Sequence, residues 1–381
     1  MVLLFACGGT GGHIFPALSV GEELRRRDPA ARILYVCGKK DIESEIFGVA
    51  RGEEVAAIEA APYRGVSSLA RPAFLLRSAR GFFQSLALIR RERPTVAVGF
   101  GGYVSFPVLG AAKICGVRTM IHEQNVRPGL ANRLLAKQVN AVAMSFPETR
   151  KYWPAVRNMR VTGNPIRASI ERGCHEEALS FFGFSADKKI LLVLGGSQGA
   201  ESINTLFLEC LKKLPASMKD RLQVLHLCGS MSAQDSESAC RKEGVAVKAY
   251  SFFDRMDLAY GAADLCVGRA GATFLAEVRT KKIPVLLVPY PYGDGHQRAN
   301  AEMYRNLIGA RVCEQKDLDG EKLAKILEEM IQQVFSIKYG VETGLKPVST
   351  GMGMGTETGT RLAQNARVAL AEFIEECARK I

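Results

Sequence analysis

The chain has 381 residues, of which 47% are hydrophobic and 24% charged, the ordinary balance of an α/β protein and a length sufficient for two domains with separate cores. Its ten cysteines form no CxxC pair and have no regular spacing, which argues against a disulfide framework or a zinc site and is typical of reduced, buried thiols in the cytosol. The net charge of +12 is uneven, because residues 1–162 carry 23 Lys and Arg against 12 Asp and Glu while the remainder carries 28 against 27. This basic excess predicts an anionic partner for the first half.

Three segments share one construction, an apolar strand followed by a glycine-rich turn and a helix. They are VLLFAC-GGTGGH at 2–13, TVAV-GFGGYV at 95–104 and KILLVL-GGSQGA at 189–200. Glycine lets backbone approach a ligand closely, and the helix that follows offers unpaired N–H groups and the positive end of its dipole. One such turn is also explained by a tight connection without a ligand, but three of them predict phosphate binding. The first apolar run is short and has no basic region before it, so it does not match a signal peptide.

The first turn does not match a dinucleotide-binding site. Such a site requires G-x-G-x-x-G after the first strand and an acidic residue at the end of the second. The first turn lacks this spacing, and Cys37 and Gly38 stand at the end of the second predicted strand, 31–37. The sequence therefore argues against a nicotinamide or flavin cofactor, and we expect no cofactor.

Residues 64–93 combine seven arginines and a single acid, Glu92, with many aromatic and aliphatic side chains. This composition is suited to an anionic membrane surface, and an equally good interpretation is a core-packing helix with a solvated arginine face. Nucleic acid is not expected as a partner, because no recognisable binding module is present. The uncharged segment 94–112 is interrupted by glycines and by Pro107, so it is expected to form a strand, a turn and a helix rather than a membrane span.

The rest of the chain continues the alternation of strands and helices that predicts a parallel α/β sheet. The strand at 119–125 ends in His122, Glu123 and Asn125, and residues at the carboxyl ends of such strands line ligand clefts. Residues 161–167 are expected to form a hinge between domains 1–162 and 163–350. Further strands are predicted at 222–227, 246–250, 265–268 and 283–289, a mobile loop at 337–360, and an amphipathic helix at 361–380.

Taken together, these segments resemble the MurG family, the peptidoglycan N-acetylglucosaminyltransferases of glycosyltransferase family 28 that make lipid II from lipid I. The matching segments are GTGGHIFPAL at 9–18, GFGGY at 99–103, HEQN at 122–125, GNPIR at 163–167, GGSQGA at 195–200, RAGA with Glu277 at 269–277, and HQRAN at 296–300. They cover residues 8 to 300 in the order of the family, and their combination is highly specific.

The resemblance implies a GT-B fold, in which two Rossmann-like, doubly wound domains face each other across a cleft. The first domain would take the acceptor and face the membrane, with the C-terminal helix 361–381 packed back on it. The second would bind the donor, UDP-N-acetylglucosamine. The acceptor would be lipid I, undecaprenyl-diphosphate-muramoyl pentapeptide, at the cytoplasmic face of the cell membrane. Residues 64–93 would lie on the anionic leaflet.

The resemblance also assigns binding residues. Ser197 and its turn would meet the donor diphosphate, Glu277 would accept hydrogen bonds from the ribose hydroxyls, and Phe253 would present backbone groups to uracil. Arg167 would lie near the nucleotide, and Gln297 and Asn125 would contact sugar hydroxyls. The helix start beside the diphosphate would be Ala272, Thr273, Phe274, Leu275 and Ala276, and the opposite wall would contribute Thr10, Gly11 and Gly12. The acceptor diphosphate would lie by the turns of the first domain, at Gly101, Gly102 and Tyr103.

The implied reaction is an inverting displacement at the anomeric carbon that gives a β-1,4 bond. It needs a base, for which His13 is the first candidate because its pKa range suits proton transfer near neutrality, and Glu123 is the second. A purely structural His13 that caps its turn is the alternative. Helix dipoles and N–H groups would stabilise the leaving diphosphate without a metal, since the one Asp-x-Asp match, at 317–319, is predicted to be a helix cap.

Two other functions fit parts of the sequence. A transferase of the same fold that acts on another lipid, such as diacylglycerol, is disfavoured by the segment 122–125. A noncatalytic nucleotide-sugar or membrane-binding protein is disfavoured by the intact His13, Glu277 and Gln297.

Overall fold

The computed structural model describes residues 1–39, 52–61, 71–195, 201–292, 294–339 and 365–379. Four predictions fall wholly or partly outside the described residues. They concern Ser197 with the rest of the turn at 196–200, the start of the basic and aromatic stretch at 64–70, the loop at 340–360, and both ends of the last helix, at 361–364 and 380–381.

The chain divides into two units. The first unit is Met1–Arg167 together with the C-terminal segment, and the second unit is Ala168–Thr360. Each contains one parallel sheet with helices packed on it, as the alternating pattern of the sequence predicts.

The sheet of the first unit has seven strands in the order β3-β2-β1-β4-β5-β6-β7. The strands are β1 (Val2–Ala6), β2 (Arg32–Gly38), β3 (Glu54–Ile58), β4 (Val96–Gly99), β5 (Arg118–Glu123), β6 (Ala141–Met144) and β7 (Met159–Val161). The helices are α1 (Gly11–Arg27), α2 (Arg71–Glu92), α3 (Gly102–Ile114), α4 (Leu130–Leu135) and, near the C-terminus, α14 (Ala366–Arg379), with a 3₁₀ helix at Pro147–Tyr152. The sequence did not predict β3, β6 or β7; of these, β3 and β7 are the two edge strands and β6 is an interior strand.

The sheet of the second unit has six strands in the order β10-β9-β8-β11-β12-β13. The strands are β8 (Lys189–Leu194), β9 (Leu222–Leu227), β10 (Ala246–Tyr250), β11 (Leu265–Gly268), β12 (Val285–Leu287) and β13 (Arg311–Val312). The helices are α5 (Ala168–Arg172), α6 (His175–Phe182), α7 (Glu201–Lys213), α8 (Ala216–Lys219), α9 (Ala233–Lys242), α10 (Met256–Ala262), α11 (Ala272–Lys281), α12 (His296–Ile308) and α13 (Gly320–Tyr339), with a 3₁₀ helix at Gln315–Asp317.

Both sheets reverse their strand order at one point, between β1 and β4 in the first unit and between β8 and β11 in the second. The central strands are buried on both faces, which explains why they are continuous apolar runs rather than alternating ones; every residue of β8 is buried. In doubly wound sheets the crevice at such a reversal, beyond the carboxyl ends of the strands, is where ligands bind. The fold thus places one candidate site in each unit.

Helix α14 belongs to the first unit although it follows the whole second unit in sequence. Its buried face includes Leu370, Phe373 and Ile374. On the polar face, Arg27 pairs with Glu372 at 3.0 Å and with Glu375 at 3.4 Å. Arg160 pairs with Glu376 at 2.7 Å and lies over the Phe373 ring at 4.4 Å.

The first unit extends past residue 162, where the sequence placed the domain boundary. Two contacts hold the additional residues. Nε2 of His122 lies 3.0 Å from the Gly163 carbonyl oxygen, and the Arg167 guanidinium lies over the Phe15 ring at 4.4 Å. Gly163 and Arg167 are therefore part of the first unit.

Candidate functional site

The reversal in the first unit is formed by two glycine turns that touch each other, one after β1 and one after β4. Gly9 has φ +87°, and a Cβ atom there would lie 3.2 Å from the Tyr103 ring. Gly102 has φ +75°, and a Cβ atom there would lie 2.7 Å from the Gly8 carbonyl oxygen. Only glycine fits these positions, because a side chain would separate the two turns.

His13 lies between the two turns. Its Nδ1 is 3.0 Å from the Gly8 carbonyl oxygen and 3.4 Å from the Thr10 hydroxyl. The carbonyl can only accept, so the bond assigns the proton of the neutral ring to Nδ1 and the lone pair to Nε2. A Cβ atom at Gly101 would be 3.0 Å from Nε2 and Cδ2, so the second turn supports the ring from its other side. His13 thus caps its turn through Nδ1 while Nε2 is the basic nitrogen, and the two interpretations of this residue are compatible.

Glu123 lies at the carboxyl end of β5 and is 1% exposed. Its carboxylate accepts four hydrogen bonds, from the backbone N–H and the side-chain amide of Asn125, both at 2.9 Å, from the Gly129 N–H at 3.1 Å and from the Asn132 amide at 2.8 Å. Burial raises the pKa of Glu123, and these donors oppose the rise. Its contacts favour ordering of the loop between β5 and α4 over acceptance of a substrate proton.

His122 and Gln124 connect this loop to neighbouring segments. The Gln124 amide donates to the Phe100 carbonyl at 2.8 Å and to His122 Nδ1 at 3.1 Å, so His122 presents its Nε2–H to Gly163. Complete burial lowers the pKa of His122 to about 4. His122 is therefore a neutral structural residue, as its position inside the sheet requires.

Asn132, which the sequence analysis missed, completes this arrangement. Its amide nitrogen bonds Glu123 and also donates to the His122 carbonyl oxygen at 3.1 Å. Among the described residues, its buried Oδ1 has no hydrogen-bond partner. The sequence signal for Asn132 was a polar residue among the apolar residues of the short helix α4, but this pattern by itself predicts only a helix packed on the core.

The reversal in the second unit lies between the ends of β8 and β11. Ala272–Lys281 forms helix α11 directly after β11, with Gly271 as its N-cap, and the expected binding residues Ala272, Thr273, Phe274, Leu275 and Ala276 are its buried first turns. Glu277 is 3% exposed and accepts a hydrogen bond of 2.8 Å from the hydroxyl of Tyr260, on α10. Tyr260 thus orients the Glu277 carboxylate. The sequence did not predict this role, because Tyr260 occupies a position of α10 where an apolar core residue is expected.

The other expected donor residues lie on loops and helix starts of the second unit. Phe253 packs in an aromatic cluster, with ring centroids 4.7 Å from Tyr250 and 5.5 Å from Phe182. Gln297, in the first turn of α12, accepts a hydrogen bond of 2.9 Å from the Tyr290 N–H and so holds the preceding loop.

A buried polar chain fixes helix α7, which follows β8. His226 Nδ1 lies 2.7 Å from the Ser236 hydroxyl and its Nε2 lies 3.0 Å from Asn204 Oδ1, while the Asn204 amide donates to the Cys228 carbonyl at 2.7 Å. Burial lowers the pKa of His226 to about 4. The neutral ring therefore accepts from Ser236 and donates to Asn204, which anchors α7 to β9.

The Asp-x-Asp match at 317–319 is confirmed as a helix cap. The Asp319 carboxylate accepts a hydrogen bond of 2.8 Å from the Lys322 N–H in the first turn of α13. Over the ranges that the structure describes, no group of three or more His, Cys, Asp or Glu side chains is arranged to hold a metal ion.

Helix α2 presents two unlike faces. Ser85, Leu88 and Ile89 are buried in the core of the first unit, so the core-packing interpretation is correct for this face. On the other, Leu75 and Phe83 are 65% and 66% exposed, with the exposed arginines at 77 and 80 nearby. Within the described ranges, no helix is both long enough and apolar enough to cross a membrane.

The structure thus gathers the expected residues into two sets, each at the carboxyl edge of one sheet. The first unit holds Thr10, Gly11, Gly12, His13, Gly101, Gly102, Tyr103, Glu123, Asn125 and Arg167. The second unit holds Phe253, Ala272 to Glu277, and Gln297. Arg167, expected near the nucleotide, belongs to the first unit rather than to the unit of the donor residues.

Comparison with known proteins finds the same two-part division. Residues 3–144 match the family model of the glycosyltransferase family 28 N-terminal domain, and residues 190–337 match that of the C-terminal domain. The chain is 40% identical over 340 residues to a protein of Halothermothrix orenii, covering 87% of this chain and 90% of the relative. It is 38% identical over 339 residues to one of Caldanaerobacter subterraneus subsp. tengcongensis, covering 87% and 92%. Both relatives are named UDP-N-acetylglucosamine–N-acetylmuramyl-(pentapeptide) pyrophosphoryl-undecaprenol N-acetylglucosamine transferase.

Among solved structures, the crystal structure of Acinetobacter baumannii MurG matches with a TM-score of 0.68 at 24% identity, covering 98% of this chain and 99% of that one. The similarity confirms the GT-B fold expected from the sequence.

Proposed function

Because the chain belongs to glycosyltransferase family 28, and within it to the MurG group of N-acetylglucosamine transferases, we propose that it transfers N-acetylglucosamine from UDP-N-acetylglucosamine to the muramyl 4-hydroxyl of lipid I, giving lipid II and UDP. The observation that carries the proposal is the position of His13, held between two glycine turns with its basic nitrogen fixed as Nε2. Such a residue supplies the proton acceptor that this displacement needs.

In the proposed reaction, His13 Nε2 takes the proton of the acceptor hydroxyl as the oxygen attacks the anomeric carbon. The new O4–C1 bond forms on the face opposite to UDP while the bond from C1 to the β-phosphate oxygen breaks, so the configuration inverts. Glu123 acts as a positioning residue in this scheme, because its two oxygens order Asn125, Gly129 and Asn132. The proton on His13 then passes to solvent or to the departing diphosphate.

Donor binding is proposed for the second unit. The N-terminus of α11 would face the diphosphate with its N–H groups and dipole, together with Ser197. Glu277, oriented by Tyr260, would accept from the ribose hydroxyls, and the backbone at Phe253 would contact uracil. Gln297, Asn125 and the turn at Thr10, Gly11 and Gly12 would contact the sugar, and Arg167 would lie by the nucleotide. The acceptor diphosphate would be bound at Gly101, Gly102 and Tyr103.

Membrane attachment is proposed for the exposed face of α2, at the cytoplasmic side of the cell membrane. The exposed Leu75 and Phe83 would enter the interface while the arginines meet anionic headgroups. Vesicle flotation tests this: Arg77→Glu with Arg80→Glu should abolish binding to vesicles rich in anionic lipid, whereas Arg241→Glu, an exposed arginine of α9, should not. Equal binding of both variants would refute the assignment.

The reaction is tested by transfer of radiolabelled N-acetylglucosamine from UDP-N-acetylglucosamine to a short-chain lipid I analogue in the presence of EDTA. Wild type should form labelled disaccharide, and His13→Ala should lower kcat about 100- to 10,000-fold, the usual contribution of a general base. The matched control is His175→Ala, because His175 also bonds a backbone carbonyl through Nδ1, that of Gly261 at 2.8 Å, and lies at the start of α6.

If His13→Ala kept the wild-type kcat, His13 would not be the general base of the reaction. Transfer to diacylglycerol instead of the lipid I analogue would replace the acceptor while leaving the donor assignment in place.

A further inference from the structure

Arg269 carries a buried positive charge at the reversal of the second sheet. It directly follows β11, the neighbour of β8, and is 6% exposed. Because ligands of doubly wound sheets bind beyond the carboxyl ends of strands at this reversal, the charge lies where the fold favours a ligand.

The guanidinium is held by neutral oxygens. Nη1 donates to the carbonyl oxygens of Val288 at 3.0 Å and Pro289 at 3.3 Å. Nη2 donates to the Ser202 hydroxyl at 2.8 Å and to Gln315 Oε1 at 2.7 Å. The buried Nε has no hydrogen-bond partner among the described residues. These contacts join the segment that follows β12, the 3₁₀ helix at Gln315–Asp317 and the first turn of α7 around one fixed cation.

No carboxylate of the described residues forms an ion pair with this cation. Glu314 directly precedes Gln315 in the chain, but its carboxylate already accepts two hydrogen bonds from Arg298, at 2.7 and 2.9 Å. A second buried cation of the same unit is treated differently, since Lys189 pairs with Asp264 at 2.7 Å. Burial lowers the pKa of Arg269, but an arginine stays charged in a protein.

A buried charge without a counter-charge is costly to maintain. We propose that the counter-charge of Arg269 is the diphosphate of the nucleotide, and that Arg269 is a positioning residue for the donor and for the leaving UDP. This inference rests on the proposed function. The guanidinium acts through its electrostatic field rather than through a direct hydrogen bond from Nη1 or Nη2, because its four Nη hydrogens are already donated to protein oxygens.

The charge hypothesis differs from a purely structural one in what the ligand must carry. A guanidinium that only clamps loops would affect uridine and UDP alike, because both share the nucleoside. A guanidinium that balances phosphate charge would affect UDP alone, and more strongly at low salt, where charges are less screened.

The test is calorimetric binding of UDP and of uridine to wild type, Arg269→Met and Arg269→Lys at low and at moderate salt. Arg269→Met should weaken UDP binding about 10- to 100-fold and change uridine binding less than about threefold, as expected for the loss of one charge roughly 6–12 Å from the ligand charge at an effective dielectric constant of about 20. Arg269→Lys keeps the positive charge but lacks the planar guanidinium with its two Nη groups, and it should retain most of the preference for UDP over uridine. The control is Arg279→Met, which removes a half-buried arginine near the opposite end of α11 and should leave the preference for UDP over uridine unchanged.

Equal weakening of UDP and uridine in Arg269→Met would overturn the inference and leave a loop clamp. If Arg269→Met does not fold, Arg269→Lys decides, because loss of the UDP preference with the charge retained also overturns it. A wild-type protein that binds neither ligand would refute the proposed donor, and with it the inference, whereas binding of UDP without transfer activity would leave the inference standing.

Discussion

Gly101→Ala tests whether the position of His13 governs the reaction. Gly101 has φ +98° and ψ −172°, a region open essentially to glycine alone, so alanine costs about 1–3 kcal/mol in backbone strain. Its Cβ would lie 3.0 Å from two atoms of the His13 ring, which must move by several tenths of an ångström and weaken its bond to Gly8. Losing that bond adds about 1 kcal/mol, for a total near 2–4 kcal/mol of lost stability.

Displacement of a base by up to 1 Å lowers kcat by as much as about 100-fold. The assay is transfer to a short-chain lipid I analogue, with urea unfolding measured in parallel. We expect kcat to fall about 10- to 100-fold while KM for UDP-N-acetylglucosamine stays within about threefold, since the contacts to uracil, ribose and the donor diphosphate are proposed for the second unit.

The matched control for this substitution is Gly116→Ala. Gly116 also has a positive φ, +73°, but a Cβ there would meet nothing within 4 Å. The control should lose only about 1–2 kcal/mol of stability and keep the wild-type kcat. A Gly101→Ala protein with the wild-type kcat would refute the reasoning, because the ring would then tolerate displacement.

Three further predictions concern stability and the donor site. His122 and His226 are fully buried, and burial lowers their pKa values to about 4, against about 6.5 in the unfolded chain. The unfolded state therefore binds protons first as the pH falls below 6.5, so each histidine should lower the free energy of unfolding by about 2 kcal/mol between pH 7.5 and pH 5. Urea midpoints that do not change between these two pH values would contradict this. Tyr260→Phe removes the donor to Glu277, so KM for UDP-N-acetylglucosamine should rise about 3- to 10-fold with kcat less affected, and an unchanged KM would argue against Glu277 as a ribose ligand. Asp319→Ala should cost about 1 kcal/mol in urea unfolding as a lost cap, with transfer in EDTA unchanged; loss of activity would count against the cap as its role.

Long apolar runs made most of the fold predictable. Strands such as β8 are buried on both faces, so their hydrophobicity is continuous and their identity follows from the sequence alone. Strands β3, β6, β7 and β13 were not predicted. For β3, β7 and β13 the reason is an edge position, which gives a short strand less apolar burial and a weaker pattern, whereas β6 is an interior strand of only four small and apolar residues.

The sequence predicted those site residues whose type alone indicates a function. Glycine turns and His13 stand out in the sequence, and the structure brings them into contact. Glu123 shows the limit of this reasoning. A carboxylate after a strand suggests a base, but whether its oxygens face substrate or four N–H donors depends on where the loop at 124–129 and Asn132 fold back. Arg269 was hidden for the same reason, since an arginine is usually a surface residue and only its neighbours reveal that it is buried.

The docking of α14 on the first unit has a consequence for biosynthesis. A ribosome makes the whole of Met1–Arg167 and then the entire second unit before it makes Ala366–Arg379. Until then the surface that receives Leu370, Phe373 and Ile374 stays uncovered, so the unit that is translated first completes its core last. The nascent first unit therefore presents an apolar surface that the finished protein covers, and a premature stop shortly before α14 would damage the N-terminal unit rather than the unit nearest to the stop.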